Sequence, residues 1–216
     1  MPREREDLFR VSNTTPREKI IVLAFEGNDT EQLYFEEFKE SEIFNNDLIY
    51  LHLLKRPKSD TNSAPNHVFN KLKREAKDEY NFERDDELWM IIDTDRWKNI
   101  EDMVLECQKQ ENMFVAVSNP CFEFWLLLHI KDISEYSLKE MELILQNRKV
   151  SLNRNYVDTK IVEILGSYNK SNPKPELYIP TIESAIRQAK KLNLSDENYP
   201  KSLGSFVYKI VEKLKK

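Results

Sequence analysis

Along this chain, short runs that are apolar throughout alternate with longer stretches in which apolar residues recur every three or four positions. Residues 20–25 and 88–92 are the clearest short runs, and each ends abruptly in acid: Glu26-Gly27 after the first, Asp93-Thr94-Asp95 after the second. Runs apolar on both faces suit interior strands of a parallel sheet covered by helices. Residues 47–54 and 113–117 read as two further strands. Between the strands the period changes to that of a helix. Leu33, Tyr34 and Phe38 make a stripe that runs to Lys39, with Asn28 or Asp29 as the cap and Glu31 or Gln32 reaching back. Val68, Phe69, Leu72 and Ala76 mark a second helix over 64–80, and residues 100–110 a third, more polar one. Ser118-Asn119-Pro120 then predicts a helix start, with Asn119 as N-cap and Pro120 in the first helical position. The helix that follows, 121–130, is apolar nearly all round and is expected to be buried.

The second half of the chain reads as mostly helical. Stretches 137–147, 156–165, 179–192 and 205–216 are amphipathic, the last with Val207, Ile210, Val211 and Leu214 on one stripe, while Pro173 and Pro175 interrupt the chain. The expected organisation is a flexible lead-in over 1–17, an α/β core over 18–130 with a mostly parallel sheet flanked by helices, and a helical extension over 131–216 packed on that core. Such an extension can serve as a lid or a docking surface. There is no internal repeat or low-complexity segment.

Composition narrows the function classes. At 216 residues, with 40% hydrophobic and 11% aromatic, the chain can build one sizeable core. No apolar run approaches the roughly 20 residues needed to span a membrane. The polar start has no apolar segment behind it, so no secretory signal is expected. Cys107 and Cys121 lie far apart without a C-x-x-C pattern, which fits a cytoplasmic protein without a zinc site. His52, His67 and His129 are equally scattered. Only 3 glycines occur, and they form neither a GxxxxGK[ST] loop nor a GxGxxG fingerprint, so P-loop and Rossmann readings fall away. The net charge of -5 gives no support for an extended nucleic-acid scaffold, although a local basic patch can still hold phosphates. Lys55, Arg56 and Lys58 form one such cluster. Lys71, Lys73, Arg74 and Lys77 lie outside the apolar stripe of their helix, as a solvated face or an RNA contact.

In open parallel sheets the ligand crevice lies outside the carboxyl ends of the strands. Glu26, Asp93 and Asp95 should therefore converge there. Such acids repel one another unless a cation sits among them, and hard oxygen donors suit Mg²⁺ or Mn²⁺. The bland reading is that they are solvated turn residues, since Asp is common where strands end. Glu123 is the other anomaly, a carboxylate inside the most apolar helix. It is either a first-turn acid favoured by the helix dipole or a fourth acid of the same site.

A strand ending in Glu-Gly, then helix, strand, helix, and a strand ending in Asp-x-Asp resembles the TOPRIM fold of topoisomerases, primases and OLD-type nucleases. The likeness extends further. Glu26-Gly27-Asn28-Asp29-Thr30-Glu31 with Tyr34-Phe35, then Asp93-Thr94-Asp95, then the block from Ser118-Asn119-Pro120-Cys121-Phe122-Glu123 to His129, closely resembles the RloB-like family. Tyr168-Asn169-Lys170 and Asn198-Tyr199-Pro200 fit its pattern too. The resemblance implies a bacterial or archaeal TOPRIM protein linked to phage defence, acting beside an ABC-like ATPase partner. Related TOPRIM effectors are nucleases, some acting on tRNA. By the same resemblance Glu26, Asp93 and Asp95 are the catalytic metal residues, with Glu31 and Glu123 as supporting acids. Lys55, Arg56, Lys58 and Lys170 are then the candidate nucleic-acid contacts.

The expectation is thus a Mg²⁺- or Mn²⁺-dependent endonuclease acting on RNA or DNA, with a homo-oligomer compatible with the chain. A haloacid-dehalogenase-like phosphatase would want Asp-x-Asp-x-Thr, but Trp97 stands two residues after Asp95. A TOPRIM-shaped sensor or adaptor that docks on an ATPase without catalysis is the remaining alternative.

Overall fold

The computed structural model describes residues 19–27, 29–54, 65–79, 85–94, 99–193 and 197–216. The lead-in, the loop carrying Lys55, Arg56 and Lys58, and Asp95 lie outside the described residues. The first half alternates strand and helix as its polarity pattern requires: β1 (Lys19–Phe25), α1 (Thr30–Glu40), β2 (Ile49–Leu54), α2 (Pro65–Glu79), β3 (Glu87–Asp93), α3 (Ile100–Gln108) and β4 (Met113–Asn119). These four strands pair in parallel in the order β2-β1-β3-β4. The rest comprises α4 (Phe122–Ile130), α5 (Leu138–Gln146), a hairpin of β5 (Lys149–Ser151) and β6 (Arg154–Asn155), α6 (Tyr156–Leu165), α7 (Ile182–Leu192), β7 (Gly204–Ser205) and α8 (Val207–Leu214). The second half is therefore not only helical, because β7 adds an antiparallel fifth strand beside β4. The result is an α/β fold with a mostly parallel sheet flanked by helices.

Because successive strand residues point to opposite faces, β1 and β3 divide between two cores. Ile21, Leu23, Phe25, Trp89 and Ile91 pack with α1, α4 and the helices of the second half. Val22, Ala24, Met90 and Ile92 pack with α2 and α3. Residues 122–129 of α4 are all buried, as expected for a helix apolar on every side. Burying each large apolar side chain contributes about 1.5–3 kcal/mol, so α4 anchors the second half to the sheet. Its carbonyl end is satisfied by Gln188 of α7, which donates to the carbonyls of Leu128 (2.8 Å) and Lys131 (3.2 Å). Its buried His129 ties α1 to the turn before α7: Nε2 lies 3.1 Å from the Tyr34 hydroxyl, and Nδ1 lies 2.7 Å from the Tyr178 carbonyl. A carbonyl only accepts, so Nδ1 carries the proton and the Tyr34 hydroxyl donates to Nε2.

Two capping expectations need correction. β4 runs through Asn119, and Cys121, not Asn119, is the N-cap of α4. Asn119 is held in the sheet by its register with Gly204, and its side chain accepts from the Thr94 hydroxyl and donates to the Pro200 carbonyl. At α1 the cap is Asp29, but its side chain makes no capping bond there and instead accepts from the Ser171 hydroxyl at 3.1 Å. Glu31 reaches back past the cap to the Gly27 N–H.

Candidate active site

The carboxyl ends of β1 and β3 lie side by side, so the residues just beyond them are neighbours. The Glu26 N–H still donates to the Ile91 carbonyl at 3.0 Å, and the Glu26 Oε2 accepts from the Asp93 N–H, also at 3.0 Å. Glu26 is buried and Asp93 half-buried. One residue on, the Gly27 N–H donates to Glu31 Oε1 at 3.1 Å. A Cβ at Gly27 would come within 2.2 Å of Glu31 Oε2, so glycine is what lets the Glu31 carboxyl lie against this turn.

Three helices then aim their first turns at the same region, each carrying one buried acid: Glu31 of α1, Glu123 of α4 and Asp158 of α6. Helix N-termini favour negative charge, which lowers part of the cost of burying these groups. Lys170 supplies a cation. Its Nζ lies 2.8 Å from Glu123 Oε1 and 3.3 Å from Asp158 Oδ1, while the Tyr168 hydroxyl donates to Glu123 Oε1 at 3.4 Å. The segment bearing Tyr168 and Lys170 is stitched to α1, since the Thr30 hydroxyl donates to the Lys170 carbonyl at 2.9 Å. Asp158 is fixed in turn by the Asn155 N–H, which donates to Oδ2 at 2.9 Å.

The electrostatics follow from this crowding. Burial first, then the negative Glu123, push the Glu31 carboxyl up to about 7, with Glu26 adding to the effect against the hydrogen bonds from backbone N–H groups. Burial also raises Asp158; Lys170 opposes this and Glu123 adds to it. Burial works against the charge on Lys170, but Glu123 and Asp158 outweigh it and hold the ammonium above its usual range. The Tyr168 hydroxyl is pushed well up by burial and then by Glu123.

A sequence profile of the RloB-like protein family matches residues 21–214. The chain belongs to the RloB-like family. No curated protein and no solved structure shows a significant match to it. No helix among the described residues is long and apolar enough to cross a membrane.

In this RloB-like chain the acids named from sequence fall as follows. Glu26 and Asp93 stand at adjacent strand ends, Glu31 lies against the Gly27 turn, and Glu123, bonded to Lys170 and Tyr168, is near enough to Glu31 to raise its carboxyl. Asp95 belongs to the same Asp-x-Asp but lies outside the described residues, as do Lys55, Arg56 and Lys58. Lys170 sits among the acids, where its ammonium is engaged by Glu123 and Asp158. Asp158 and Tyr168 were not among the candidate site residues. The spacing Asn155-x-x-Asp158 is a readable capping signal, and the structure does show that box, but nothing local says that Asp158 faces Glu123.

Among the described residues no group of three His, Cys, Asp or Glu side chains forms a ready metal cage. The donor chemistry nevertheless fits a hard divalent ion. Glu26, Glu31 and Asp93 offer only carboxylate oxygens, and burial first, with Glu123 and Glu26 adding to it, holds the Glu31 carboxyl up, so a cation beside it would favour its charged form.

Proposed function

We propose that this chain is a metal-dependent nuclease of the TOPRIM type, hydrolysing phosphodiester bonds of RNA, tRNA included, or of DNA. The observation that carries this reading is that acids from two strand ends and two helix N-termini lie in one region, the half-buried Asp93 and the buried Glu26, Glu31 and Glu123. Role as the effector of an anti-phage system with an ABC-like ATPase partner is supported by the family resemblance alone.

Glu26 and Asp93, with Asp95 from the same motif, would hold Mg²⁺ or Mn²⁺. When bound, such an ion neutralises phosphate charge and lowers the pKa of a coordinated water. The protein's own groups do the rest. The Asp93 N–H fixes Glu26 Oε2 and so orients a carboxylate that can accept a proton from the attacking water. Glu31, held next to it by the Gly27 N–H and pushed up to about 7 by burial and Glu123, gains its full charge when a cation arrives. Lys170 and Tyr168 orient Glu123, and Lys170 offsets its charge when no ion is present.

The test is incubation of the purified chain with tRNA and with plasmid DNA in Mg²⁺ or Mn²⁺, with and without EDTA, beside Glu26→Gln. Metal-dependent cleavage that is lost in the variant is the expected result. Absence of cleavage even with the native ATPase partner and trigger present would overturn the reading.

A second reading is favoured by Lys170. An internal ammonium within 2.8 Å of Glu123 gives that acid a counter-charge without any metal, as a non-catalytic adaptor docking on the ATPase would need. Protection against phage retained in Glu26→Gln would select it.

A further inference from the structure

The hairpin of β5 and β6 is out of keeping with the rest of the molecule. Residues 148–155 carry Arg148, Lys149 and Arg154 and no acid, in a chain whose net charge is -5. All three cations are exposed, and among the described residues none of them is in an ion pair. Two apolar side chains stand with them: Val150 is 56% exposed and Leu152 83% exposed. Exposed apolar residues on a short two-stranded element add nothing to a core, and an isolated hairpin is at best marginally stable.

This hairpin is rooted in the acid cluster. At its start, Asn147 is buried in the left-handed region (φ 41°), its side-chain amide donating to Cys121 Sγ and its oxygen accepting from the Val157 N–H. At its end, the Asn155 N–H donates to Asp158 Oδ2. Cys121 is two residues before Glu123, and Asp158 shares Lys170 with Glu123. Both ends of the ribbon are therefore bonded to residues that adjoin the site, while its cations project into solvent.

We infer that the hairpin 148–155 is the nucleic-acid-gripping element of this protein, its Arg148, Lys149 and Arg154 contacting backbone phosphates beside the carboxylate cluster. This rests on the nuclease reading for its placement, though binding can be measured without cleavage. Two-stranded ribbons are an established shape for entering nucleic-acid grooves, Arg and Lys are the usual phosphate contacts, and apolar wedges are used to unstack bases. Leu152 fills the wedge position. Acids clustered alone would repel a polyanion, so a basic arm at their margin also supplies the attraction that the site lacks.

The experiment uses the full chain with fluorescein-labelled tRNA and with duplex DNA of about 30 base pairs, the length of a typical binding site. Anisotropy titrations in EDTA, at several salt concentrations, compare wild type with Arg148→Ser/Lys149→Ser/Arg154→Ser, with Leu152→Ser, and with Lys109→Ser/Lys190→Ser as a control for general charge. The triple variant is expected to bind at least about tenfold more weakly, with the slope of log K against log salt reduced by roughly 2–3 on duplex DNA. Leu152→Ser should weaken binding with the slope unchanged, and the control should bind like wild type. Unfolding curves for each variant should match wild type, because the altered side chains are exposed. Binding by the triple variant equal to wild type, an equal loss in the control, or no binding by the wild type would each overturn the inference. Cleavage assays on the same proteins separate the two readings. Unaltered binding with metal-dependent cleavage sinks only the hairpin, and hairpin-dependent binding without any cleavage sinks only the nuclease.

Discussion

Replacing Lys170 by methionine keeps most of the side-chain stem and removes the ammonium, stranding two buried carboxylates. Glu123 and Asp158 are 5% and 2% exposed, and both now share Lys170 Nζ. Removing one member of a buried ion pair costs about 3–5 kcal/mol. The Lys170 side chain is itself 44% exposed, so water replaces part of what is lost. The expected cost is then about 2–3 kcal/mol, or roughly 5–10 °C in Tm for a chain of this size. The pH dependence has a definite sign. Burial holds Asp158 above its ordinary value in the folded chain, against the pull of Lys170. An acid raised by folding contributes stability that is complete below the ordinary carboxylate range and lost as pH rises through the raised value. Without Lys170 that value rises further, so the deficit of Lys170→Met should be larger near about pH 8 than near about pH 5. Urea unfolding in EDTA across this range, with Glu123→Gln/Lys170→Met alongside, measures it. The double variant should recover part of the loss, since one of the two stranded charges is gone while Asp158 remains. Equal stability of Lys170→Met and wild type at the higher pH would refute the ion-pair account, and a deficit that grows on acidification would refute its electrostatic origin.

Glu26→Gln should leave Tm level or raised in EDTA, because repulsion with Glu31 is relieved, while on the nuclease proposal metal-dependent cleavage falls by orders of magnitude. Mn²⁺ should raise the Tm of the wild type and much less that of the variant; an unshifted wild type in a calorimetric scan would count against a metal site. Burial pushes His129 down to about 3 from its usual 6.5. Folding stability should therefore decline as pH falls below about 6.5, and His129→Phe should flatten that arm of the urea-unfolding profile. His129→Phe should also cost about 1–3 kcal/mol at neutral pH, since the Tyr34 hydroxyl loses its acceptor. Gly166 ends α6 at φ 76° with open space around it, so Gly166→Ala should cost about 1 kcal/mol from backbone strain alone, measured by unfolding, with binding and cleavage unchanged.

The elements that sequence shows best are those whose pattern is decided locally. β1 and β3 are apolar on both faces because both faces are covered, and the run lengths are legible without knowing what covers them. The acids that follow are legible for the same reason, since a parallel sheet has a ligand end and the chain turns there. The hairpin and β7 were not legible. Their strands are 2 or 3 residues long, too short for any period, and β7 exists only because Ser118 and Asn119 offer it an open edge. The N-cap of α4 failed on the same ground. Asn119 has good local capping chemistry, but sheet pairing and the partners Thr94 and Pro200 claim it first. Asp158 is the residue whose absence from the candidate set matters most. It is separated from Glu123 by 35 positions of sequence, and only the packing of α6 on α4 brings them to one lysine.

That packing bears on whether the cluster serves stability or chemistry. Replacing a buried ion pair by apolar groups of similar size is often neutral or stabilising. Glu123 lies on a helix buried throughout, and its carboxylate is accommodated only because Lys170 and Tyr168 are brought to it. The chain instead places Glu31, Glu123 and Asp158 on the first turns of three separate helices and brings in Lys170 from a fourth segment to offset them. Stability alone does not call for this. On the proposed metal-dependent reading, the arrangement keeps the acid cluster folded without an ion and leaves carboxylates to offer when an ion and a phosphate arrive. On that view Lys170 holds the cluster together in the interval. The triple test with Lys170→Met, Glu26→Gln and the hairpin variant then separates holding, chemistry and grip: the first should change stability most, the second turnover, and the third affinity.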